Sequence, residues 1–389
     1  MSGQRHAEVA GAGLSGLAAA AALGNAGWSV RVHERNSELR ELGAGILVWE
    51  NGIWALKQVG AFDDATRGTD FIHDWELRDE RNRTLQHEWM LPGVSESYAI
   101  LRTQLHQALV KAAERAGAEI VTSSPVSSAT TDGELILASG EACKADLVVG
   151  ADGIFSKVRD AVGLAEKVTD LGDGCGRHLI ERKSSDIKDQ IIERWHGGRR
   201  IGIVPCTQDK IYIYLCCPAH DEVGIQQEAG DLSSWIESFP EFEHYIGRIP
   251  AGGRWASFGD VRARKWSSGK VALVGDAAHS MSPNLGQAAC VAMMNAVVLS
   301  HRLDEYQSVE ESLGKWEGSE RKITDRTQRY SRFYGWIGTH WPQYLLPVRS
   351  ALVWSLAHSK RAQAHINIAA RYKPSLSRSI GPATVGTTS

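Results

Sequence analysis

Residues 7–35 read AEVAGAGLSGLAAAAALGNAGWSVRVHER, in which closely spaced glycines lie between apolar segments. A short apolar strand runs into Gly11, Gly13 and Gly16, a helix of small residues follows, and a second strand ends at Glu34. Gly11 permits a tight turn, Gly13 lets the backbone approach a pyrophosphate, and Gly16 lets the helix pack closely on the sheet. Glu34 follows the glycine motif by about 20 residues, the sequence spacing at which a carboxylate in such sites binds the ribose diol. The pattern therefore predicts a dinucleotide site.

The whole chain excludes several other classes of protein. It has 389 residues and a formal net charge of -3 at pH 7, which allows two domains and gives no basic footprint for nucleic acid. No apolar run approaches the ~20 residues that a membrane-spanning helix needs. The six cysteines lack the spacing of a metal site, so we predict no metal and expect reduced thiols in a cytoplasmic protein.

The hydrophobic pattern changes along the chain and predicts a discontinuous α/β protein. Residues 145–149 and 270–275 have the composition of buried parallel strands, whereas residues 189–217 are typical of antiparallel strands. We predict a Rossmann-like dinucleotide-binding domain with an inserted β-sheet substrate domain, C-terminal helices and a loose tail. The predicted ranges are 1–70, 96–165 and 262–310 for the first domain, 71–95 and 166–261 for the second, 311–372 for the helices and 373–389 for the tail.

Two further strand ends carry an aspartate on a glycine turn, at Asp152 and at Asp276. Ligands bind beyond the carboxyl ends of strands in open α/β sheets, so both aspartates can face a bound dinucleotide. Asp276 can accept from a ribityl hydroxyl, and a helix beginning near Gly286 would aim N–H groups beyond Pro283, which suits a flavin pyrimidine edge. Taken singly, either aspartate could instead be a helix N-cap.

The three motifs together resemble those of the flavin-dependent aromatic hydroxylases, the single-component family typified by para-hydroxybenzoate hydroxylase. The resemblance covers roughly residues 5–330. It implies non-covalent FAD, NADH or NADPH as a transient reductant, and insertion of one atom of O₂ into an electron-rich ring. The residues expected to contact FAD are Gly11, Gly13, Leu14, Ser15, Gly16, Glu34, Arg35, Arg40, Gly45, Arg102, Asp152, Asp276, Gly286 and Ala289.

A closer resemblance, carried by SELRELGAGI, GKVALVGDAAHSMSP and AMMNA, is to the subgroup that oxidises 2-methyl-3-hydroxypyridine-5-carboxylate and opens its ring. It implies a substrate-side arginine at Arg200 and a tyrosine at Tyr212, which with Pro283 are the predicted catalytic residues. Arg200 would pair a carboxylate, and Tyr212 would bond the ring hydroxyl or heteroatom. Leu47 and Trp75 stand where that subgroup has further tyrosines, so the exact substrate can differ.

The sequence leaves two questions open. A four-residue loop at 206–209 would put Arg200 and Tyr212 on opposite faces of the sheet, and a register one residue different would put them on the same face. The leading function is an FAD-dependent monooxygenase of a hydroxylated N-heteroaromatic acid, with or without ring opening. The alternatives are a hydroxylase of a benzenoid, salicylate-like acid and a flavin oxidoreductase without oxygen insertion. The expected partners are a small aromatic acid and O₂, and self-association to a homo-oligomer is left open.

Overall fold

The computed structural model describes residues 4–39, 44–93, 95–228 and 230–374. In chain order its strands are β1 (His6–Ala10), β2 (Ser29–His33), β3 (Gly45–Trp49), β4 (Asp74–Arg78), β5 (Thr84–Trp89), β6 (Ser97–Leu101), β7 (Glu119–Val121), β8 (Val126–Thr130), β9 (Glu134–Leu137), β10 (Ala142–Lys144), β11 (Leu147–Gly150), β12 (Ala165–Glu181), β13 (Gln190–His196), β14 (Arg199–Pro205), β15 (Lys210–Pro218), β16 (Trp255–Ala263), β17 (Ser267–Ser268) and β18 (Val271–Leu273).

The helices of these ranges alternate with the strands at first and then follow them. In chain order they are α1 (Leu14–Asn25), α2 (Glu50–Gln58), α3 (Phe62–Thr66), α4 (Arg102–Arg115), α5 (Lys157–Ala161), α6 (Ser233–Ser238), α7 (Glu243–Ile246), α8 (Asp276–His279), α9 (Ala288–Leu303), α10 (Val309–Thr339), α11 (Leu346–His358) and α12 (Lys360–Ile366). Short 3₁₀ turns lie at Pro240–Phe242, Pro283–Leu285 and Gln343–Leu345. None of these helices combines the length and the apolar character that crossing a bilayer requires.

The first sheet has six strands in the order β17-β18-β11-β1-β2-β7. Adjacent strands in this sheet pair in parallel, except that β17 and β18 are antiparallel. Helix α1 packs between this sheet and helices α4 and α9, and its run of small buried residues permits the close approach. The carboxyl ends of β1, β11 and β18 therefore meet at one edge, as a Rossmann-like domain requires, and the predicted fold class is confirmed.

The second large sheet has seven strands in the order β16-β12-β15-β14-β13-β4-β5. The antiparallel strands predicted within residues 189–217 are its β13, β14 and β15. Arg200 pairs with Cys216 and Val204 pairs with Tyr212, so the register differs by one residue from that of a four-residue loop. Because residues two apart in a strand share a face, Arg200 and Tyr212 lie on the same face of this sheet.

The C-terminal helices cover both sheets. Helix α10 is 31 residues long, and the Ser308 hydroxyl caps it by accepting a hydrogen bond from the Glu311 N–H at 3.1 Å. It packs on α9 and on strands β12, β14 and β15, while α11 packs against β5. The predicted domain boundaries stay predictions, and residues 375–389 of the predicted loose tail lie outside the described residues.

Candidate active site

A cavity of about 800 Å³ is lined by residues of both large sheets. Its nucleotide half is lined by the residues that the three motifs supply, among them Gly11, Gly13, Glu34, Arg102, Asp152 and Asp276. The other part, which we call the inner pocket, is lined by Arg177, Glu193, Arg200, Tyr212, Tyr214 and Tyr334. The structure therefore joins the predicted dinucleotide site and the predicted substrate residues in one continuous space.

Each glycine of the first motif is required for a different structural reason. Gly11 has φ +101°, and a Cβ there would lie 2.6 Å from the Ala151 carbonyl oxygen. A Cβ on Gly16 would lie 2.0 Å from the Gly11 carbonyl oxygen, so this glycine lets α1 touch the end of β1. A Cβ on Gly13 would meet nothing within 4 Å. Gly13 thus leaves the cavity open at the start of α1.

Helix α1 offers the cavity an N-terminus without a side-chain cap. Gly13 is its N-cap residue and provides no acceptor, so the first N–H groups of this 12-residue helix are available to a ligand. A helix N-terminus of this kind favours a phosphate group, because the N–H groups and the helix dipole both attract negative charge. The loop is therefore shaped for the pyrophosphate of a dinucleotide.

Buried polar contacts fix the end of β2, which carries Glu34. The buried His33 ring bonds Glu8 and Ser124 through its two nitrogens, each at 2.8 Å. The potential metal-ligand atoms of Glu8, His33 and Cys143 lie within 4.8 Å of one another. Both carboxylate oxygens of Glu8, however, already contact histidine nitrogens, one of His33 and one of His6. Burial alone would raise the pKa of Glu8, and these hydrogen bonds lower it below its ordinary value. We interpret the group as an ionic hydrogen-bond cluster that holds β1 to β2.

The carboxylate of Glu34 is anchored before any ligand binds. It accepts hydrogen bonds from the Ala12 N–H at 3.1 Å and from the N–H and side chain of Asn36 at 2.9 and 2.7 Å. The imidazole of His106 bonds the Ala12 carbonyl oxygen at 2.8 Å, so α4 supports the same loop. Sequence reasoning missed His106, whose signal was its position one helical turn after Arg102.

Asp152 makes the contacts of a helix cap. Its carboxylate accepts from the Ser156 hydroxyl at 2.5 Å and from the N–H groups of Lys157 and Val158 at 2.7 and 3.2 Å. The N-cap residue of α5 is Ser156, whose hydroxyl accepts from the Arg159 N–H at 2.9 Å, so the N-cap alternative raised from the sequence is wrong for Asp152 itself, which supports the start of α5 from four residues upstream. Because Asp152 also lines the cavity, a contact with FAD would share oxygens that already hold the start of α5.

The third motif packs directly on the first. Gly275 has φ +60°, and a Cβ there would lie 2.3 Å from the Ser15 hydroxyl oxygen. The next residue, Asp276, is exposed and lines the cavity. Its helix ends at His279, a buried ring that contacts Asn295 at 3.1 Å and whose pKa is lowered by burial to about 4. His279 is therefore a neutral structural group beside the site.

The loop after the third motif shapes the wall of the cavity. Pro283, Leu285 and Gly286 all line it, and Gly286 has φ +62° at the end of the 3₁₀ turn. Helix α9 begins at Ala288, two residues after the expected start near Gly286, because that left-handed residue interrupts the helix. The turn and the start of α9 still face the cavity, as the sequence predicted.

The predicted FAD residues fall into three groups. Those that line the cavity are Gly11, Gly13, Leu14, Ser15, Glu34, Arg35, Gly45, Arg102, Asp152, Asp276, Gly286 and Ala289. Gly16 lies behind the loop, where it packs α1 on the sheet, and Arg40 lies outside the described residues. The contacts of these residues with FAD stay predictions.

One row of side chains crosses the seven-stranded sheet beneath the inner pocket. Glu193 pairs with Gly202, Gly202 with Tyr214, and Tyr214 with Arg177 on four successive strands. A Cβ on Gly202 would lie 1.9 Å from Cζ of Tyr214, so the tyrosine ring crosses β14 where no side chain blocks it. This glycine allows the Tyr214 hydroxyl to reach Glu193 at 2.5 Å.

Arg200 is buried and already has partners in the protein. One Nη donates to Asn284 at 2.7 Å and lies 3.7 Å from the Asp173 carboxylate, while its Nε has no hydrogen-bond partner among the described residues. The side chain lines the inner pocket although Arg200 is only 2% exposed. Burial raises the pKa of Asp173 even with Arg200 beside it. Arg200 therefore links the sheet to the loop of Pro283, and its Nε is buried without a partner among the described residues.

Four residues of the inner pocket were missed by sequence reasoning, namely Arg177, Glu193, Tyr214 and Tyr334. Glu193 is 5% exposed and accepts from Trp195 Nε1 at 2.6 Å and from the Tyr334 hydroxyl at 3.2 Å. An acidic residue at an inward position of a β-rich strand was the signal available for Glu193. Tyr334 comes from α10 and carries no comparable signal.

The comparisons with known proteins agree with this geometry. The family model described as "FAD binding domain" matches residues 6–314. A putative 2-heptyl-3-hydroxy-4(1H)-quinolone synthase from Rhodococcus erythropolis is 38% identical, over 84% of this chain and 86% of that protein. A 2-heptyl-3-hydroxy-4(1H)-quinolone synthase from Mycobacteroides abscessus is 36% identical, over 86% of this chain and 91% of that protein.

A solved structure is similar over nearly the whole chain. The tetrameric form of 2-methyl-3-hydroxypyridine-5-carboxylic acid oxygenase is 37% identical, with a TM-score of 0.84 over 95% of this chain and 97% of that one. The resemblance inferred from the motifs is thereby confirmed, FAD is the cofactor, and NADH or NADPH is the transient reductant typical of the family. The chain belongs to the FAD-binding-domain family of single-component flavoproteins and is an FAD-dependent monooxygenase of the aromatic hydroxylase type.

Proposed function

We propose that the protein hydroxylates an N-heteroaromatic ring that carries a hydroxyl or oxo group, using NADH or NADPH and O₂. The observation that carries the proposal is the inner pocket, where two arginines, a carboxylate and three tyrosines line one end of a cavity whose other end suits FAD. A flat ring with polar groups at its edge can satisfy such a set, whereas an unsubstituted ring would leave buried polar groups unpaired. The named activities of the similar proteins support the same ring class.

Within this proposal the chain's own residues bind the ring and exclude water. FAD, when bound, supplies the redox chemistry that delivers one oxygen atom. The Arg200 guanidinium donates to an oxygen of the substrate, and Tyr212 contacts the ring on the same face of the sheet. Pro283 and Leu285 form part of the cavity wall and help to exclude water.

The first candidate substrate is an acid such as a hydroxypyridine carboxylate, whose carboxylate would pair with Arg200. The second candidate is an uncharged 4(1H)-quinolone, whose ring oxygen would take the place of the carboxylate. The relatives at 38% and 36% identity favour the second candidate, and so does the Asp173 carboxylate, which already balances the charge of Arg200 at 3.7 Å. Ring opening after hydroxylation stays part of the first candidate.

A turnover screen tests the proposal. Purified holoenzyme is given NADH or NADPH with hydroxypyridine carboxylates, 4(1H)-quinolones and salicylate in ¹⁸O₂, and nicotinamide oxidation and product mass are recorded. We expect stimulated oxidation and one labelled oxygen atom in an N-heteroaromatic product. Labelled product from salicylate alone would favour the benzenoid alternative. Oxidation of a ring compound without label would favour the flavin oxidoreductase.

We also propose that the protein is a cytoplasmic homo-oligomer. All six cysteines are free thiols, and they would stay reduced in that compartment. The similar oxygenase is described as a tetramer. Light scattering on the purified protein tests the assembly, and a monomeric mass would contradict it. Cell fractionation tests the compartment, and recovery with secreted proteins would contradict that part.

A further inference from the structure

Glu193 is the centre of a buried hydrogen-bond cluster in the inner pocket. Its two oxygens accept from the hydroxyl of Tyr214 at 2.5 Å, from the hydroxyl of Tyr334 at 3.2 Å and from Trp195 Nε1 at 2.6 Å. Tyr214 comes from β15 and Tyr334 from α10, while Trp195 lies on β13 beside Glu193, so two other elements converge on this carboxylate. All of this cluster except Trp195 lines the cavity.

The carboxylate decides which way the two tyrosine hydroxyls point. A tyrosine hydroxyl has one proton to donate, and in both contacts an oxygen of Glu193 is the acceptor. The protons of Tyr214 and Tyr334 are therefore committed to Glu193, and the oxygen lone pairs are left for the cavity. Burial raises the pKa of both tyrosines well above the ordinary value, so the hydroxyls keep their protons.

The arginines of the inner pocket have the opposite polarity. Arg200 and Arg177 are donors only and line the same space as the two tyrosines. A ligand in the inner pocket therefore meets two hydroxyls that act as acceptors, those of Tyr214 and Tyr334, together with two guanidinium groups that can only donate. Polar groups that a ligand leaves unpaired in such a buried site weaken its binding considerably.

We propose that Glu193 is a positioning residue for substrate specificity, which holds Tyr214 and Tyr334 as hydrogen-bond acceptors so that the ring must present an N–H or O–H to them. This inference rests on the proposed function. It adds the requirement that the edge of the substrate ring carries a hydrogen-bond donor. It applies equally to an N-heteroaromatic acid and to an uncharged quinolone, since each has a donor and an acceptor on its ring. A ring of the same shape with an acceptor in place of the donor is rejected.

The test uses two ligands that differ only at this position. 4(1H)-Quinolone carries a ring N–H, and chromone has the same shape and carbonyl with an oxygen in place of the N–H. A second pair, quinolone-2-carboxylate and chromone-2-carboxylate, adds the acid group. Dissociation constants are measured on oxidised holoenzyme from the change in flavin absorbance, without reductant. Binding is thus tested apart from oxygen insertion, so failure of the proposed reaction would not be mistaken for failure of this inference.

We expect the wild-type protein to bind the N–H member of at least one pair about tenfold or more tightly than its oxygen analogue. In Glu193→Gln the amide NH₂ can donate to a tyrosine oxygen, which turns that hydroxyl proton toward the cavity. The preference should then fall to about threefold or less, with FAD content unchanged. Tyr334→Phe removes one acceptor and leaves Glu193 in place, and it should reduce the preference in the same direction if Glu193→Gln does not fold.

Glu76→Gln is the matched control. Glu76 is a buried carboxylate of the same sheet, bonded to Arg78 and Thr84, and it does not line the cavity. This variant should keep the wild-type ratio of dissociation constants for both pairs. Two results would overturn the inference. One is a wild-type protein that binds the oxygen analogues as tightly as the N–H ligands, and the other is a wild-type ratio retained in both Glu193→Gln and Tyr334→Phe.

Discussion

The nucleotide half of the cavity and the inner pocket hold their ligands by different means. The nucleotide half uses backbone: glycine turns bring strand ends and the start of α1 to the ligand, and a Cβ on Gly13 would meet nothing within 4 Å. The inner pocket uses side chains, and its buried charged groups have partners in the protein, as Arg200 has in Asn284 and Asp173 and Glu193 has in Tyr214. Substitutions in the nucleotide half should therefore weaken binding or stability by changing the backbone conformation. Substitutions in the inner pocket should do so by leaving a buried charge without its partner.

Gly16→Ala should have the largest effect and would show how rigid the nucleotide half is. The added Cβ would lie 2.0 Å from the Gly11 carbonyl oxygen, so α1 or the strand end must move. We expect a loss of about 4 kcal/mol or more in the free energy of unfolding and little bound FAD. Urea denaturation and flavin content measure this. Gly13→Ala is the control for stability and should fold normally, so an equal loss of unfolding free energy in both variants would show that the contact of Gly16 with Gly11 does not set the packing of α1.

Arg200→Ala should come next and tests the inner pocket. It should weaken binding of a carboxylate-bearing ring by about 2–4 kcal/mol, because a buried, hydrogen-bonded charge pair is lost. It should also destabilise the fold, since Asp173 would stay buried without its cation. Arg200→Lys should recover stability but little of the affinity, because an ammonium lacks the planar fork. Flavin titrations and urea denaturation separate the two effects, and full affinity for the acid in either variant would rule out this role.

Glu34→Ala should have an intermediate effect on the nucleotide half. Loss of a charge-assisted hydrogen bond to the ribose should weaken FAD binding by about 1.5–3 kcal/mol. The Ala12 N–H would also lose its acceptor, which is now 3.1 Å away. The dissociation constant of FAD from apoprotein is the measurement. An unchanged constant would mean that Glu34 only supports the loop.

His279→Gln should have the smallest effect and depends on pH. Burial lowers the pKa of His279 to about 4 from an ordinary value near 6.5, so the unfolded chain binds a proton that the folded chain does not in that window. The stability contributed by the neutral ring is full above about pH 6.5 and is lost as the pH falls toward about 4. Between about pH 7.5 and pH 5 the wild type should lose about 2 kcal/mol more than the variant. Urea denaturation of both proteins at the two pH values measures this. The prediction is contradicted if the wild type and the variant lose the same unfolding free energy between them.

The sequence predicted the nucleotide half well because each signal there is local. A glycine turn, the strand before it and the helix after it lie within a few residues, so the positions of Gly11, Gly13 and Asp276 followed from the pattern. Asp152 shows the limit of this reasoning, since the same pattern fits a ligand contact and a helix N-cap, whereas in the structure Ser156 is the N-cap and Asp152 accepts from the first N–H groups of α5.

The inner pocket was predicted only in part because its contacts join distant segments. Arg200 and Tyr212 came from the resemblance, but their shared face depends on a register that one loop residue reverses. The bond between Tyr334 and Glu193 spans 141 positions of the chain, and no local pattern reports it. The Tyr214 ring can cross β14 because it lies over Gly202, which has no side chain. This placement depends on the register of β14 and β15, which the sequence left open.

The most direct test of the contrast between the two halves is a crossed binding measurement on Gly13→Ala and Arg200→Lys. The dissociation constant of FAD is measured on apoprotein, and that of a carboxylate-bearing ring is measured on FAD-saturated protein. We predict that Gly13→Ala weakens FAD binding and leaves ring binding near the wild-type value, whereas Arg200→Lys does the reverse. If either variant weakens both dissociation constants by similar factors, the two halves are not separate sites and the account is wrong.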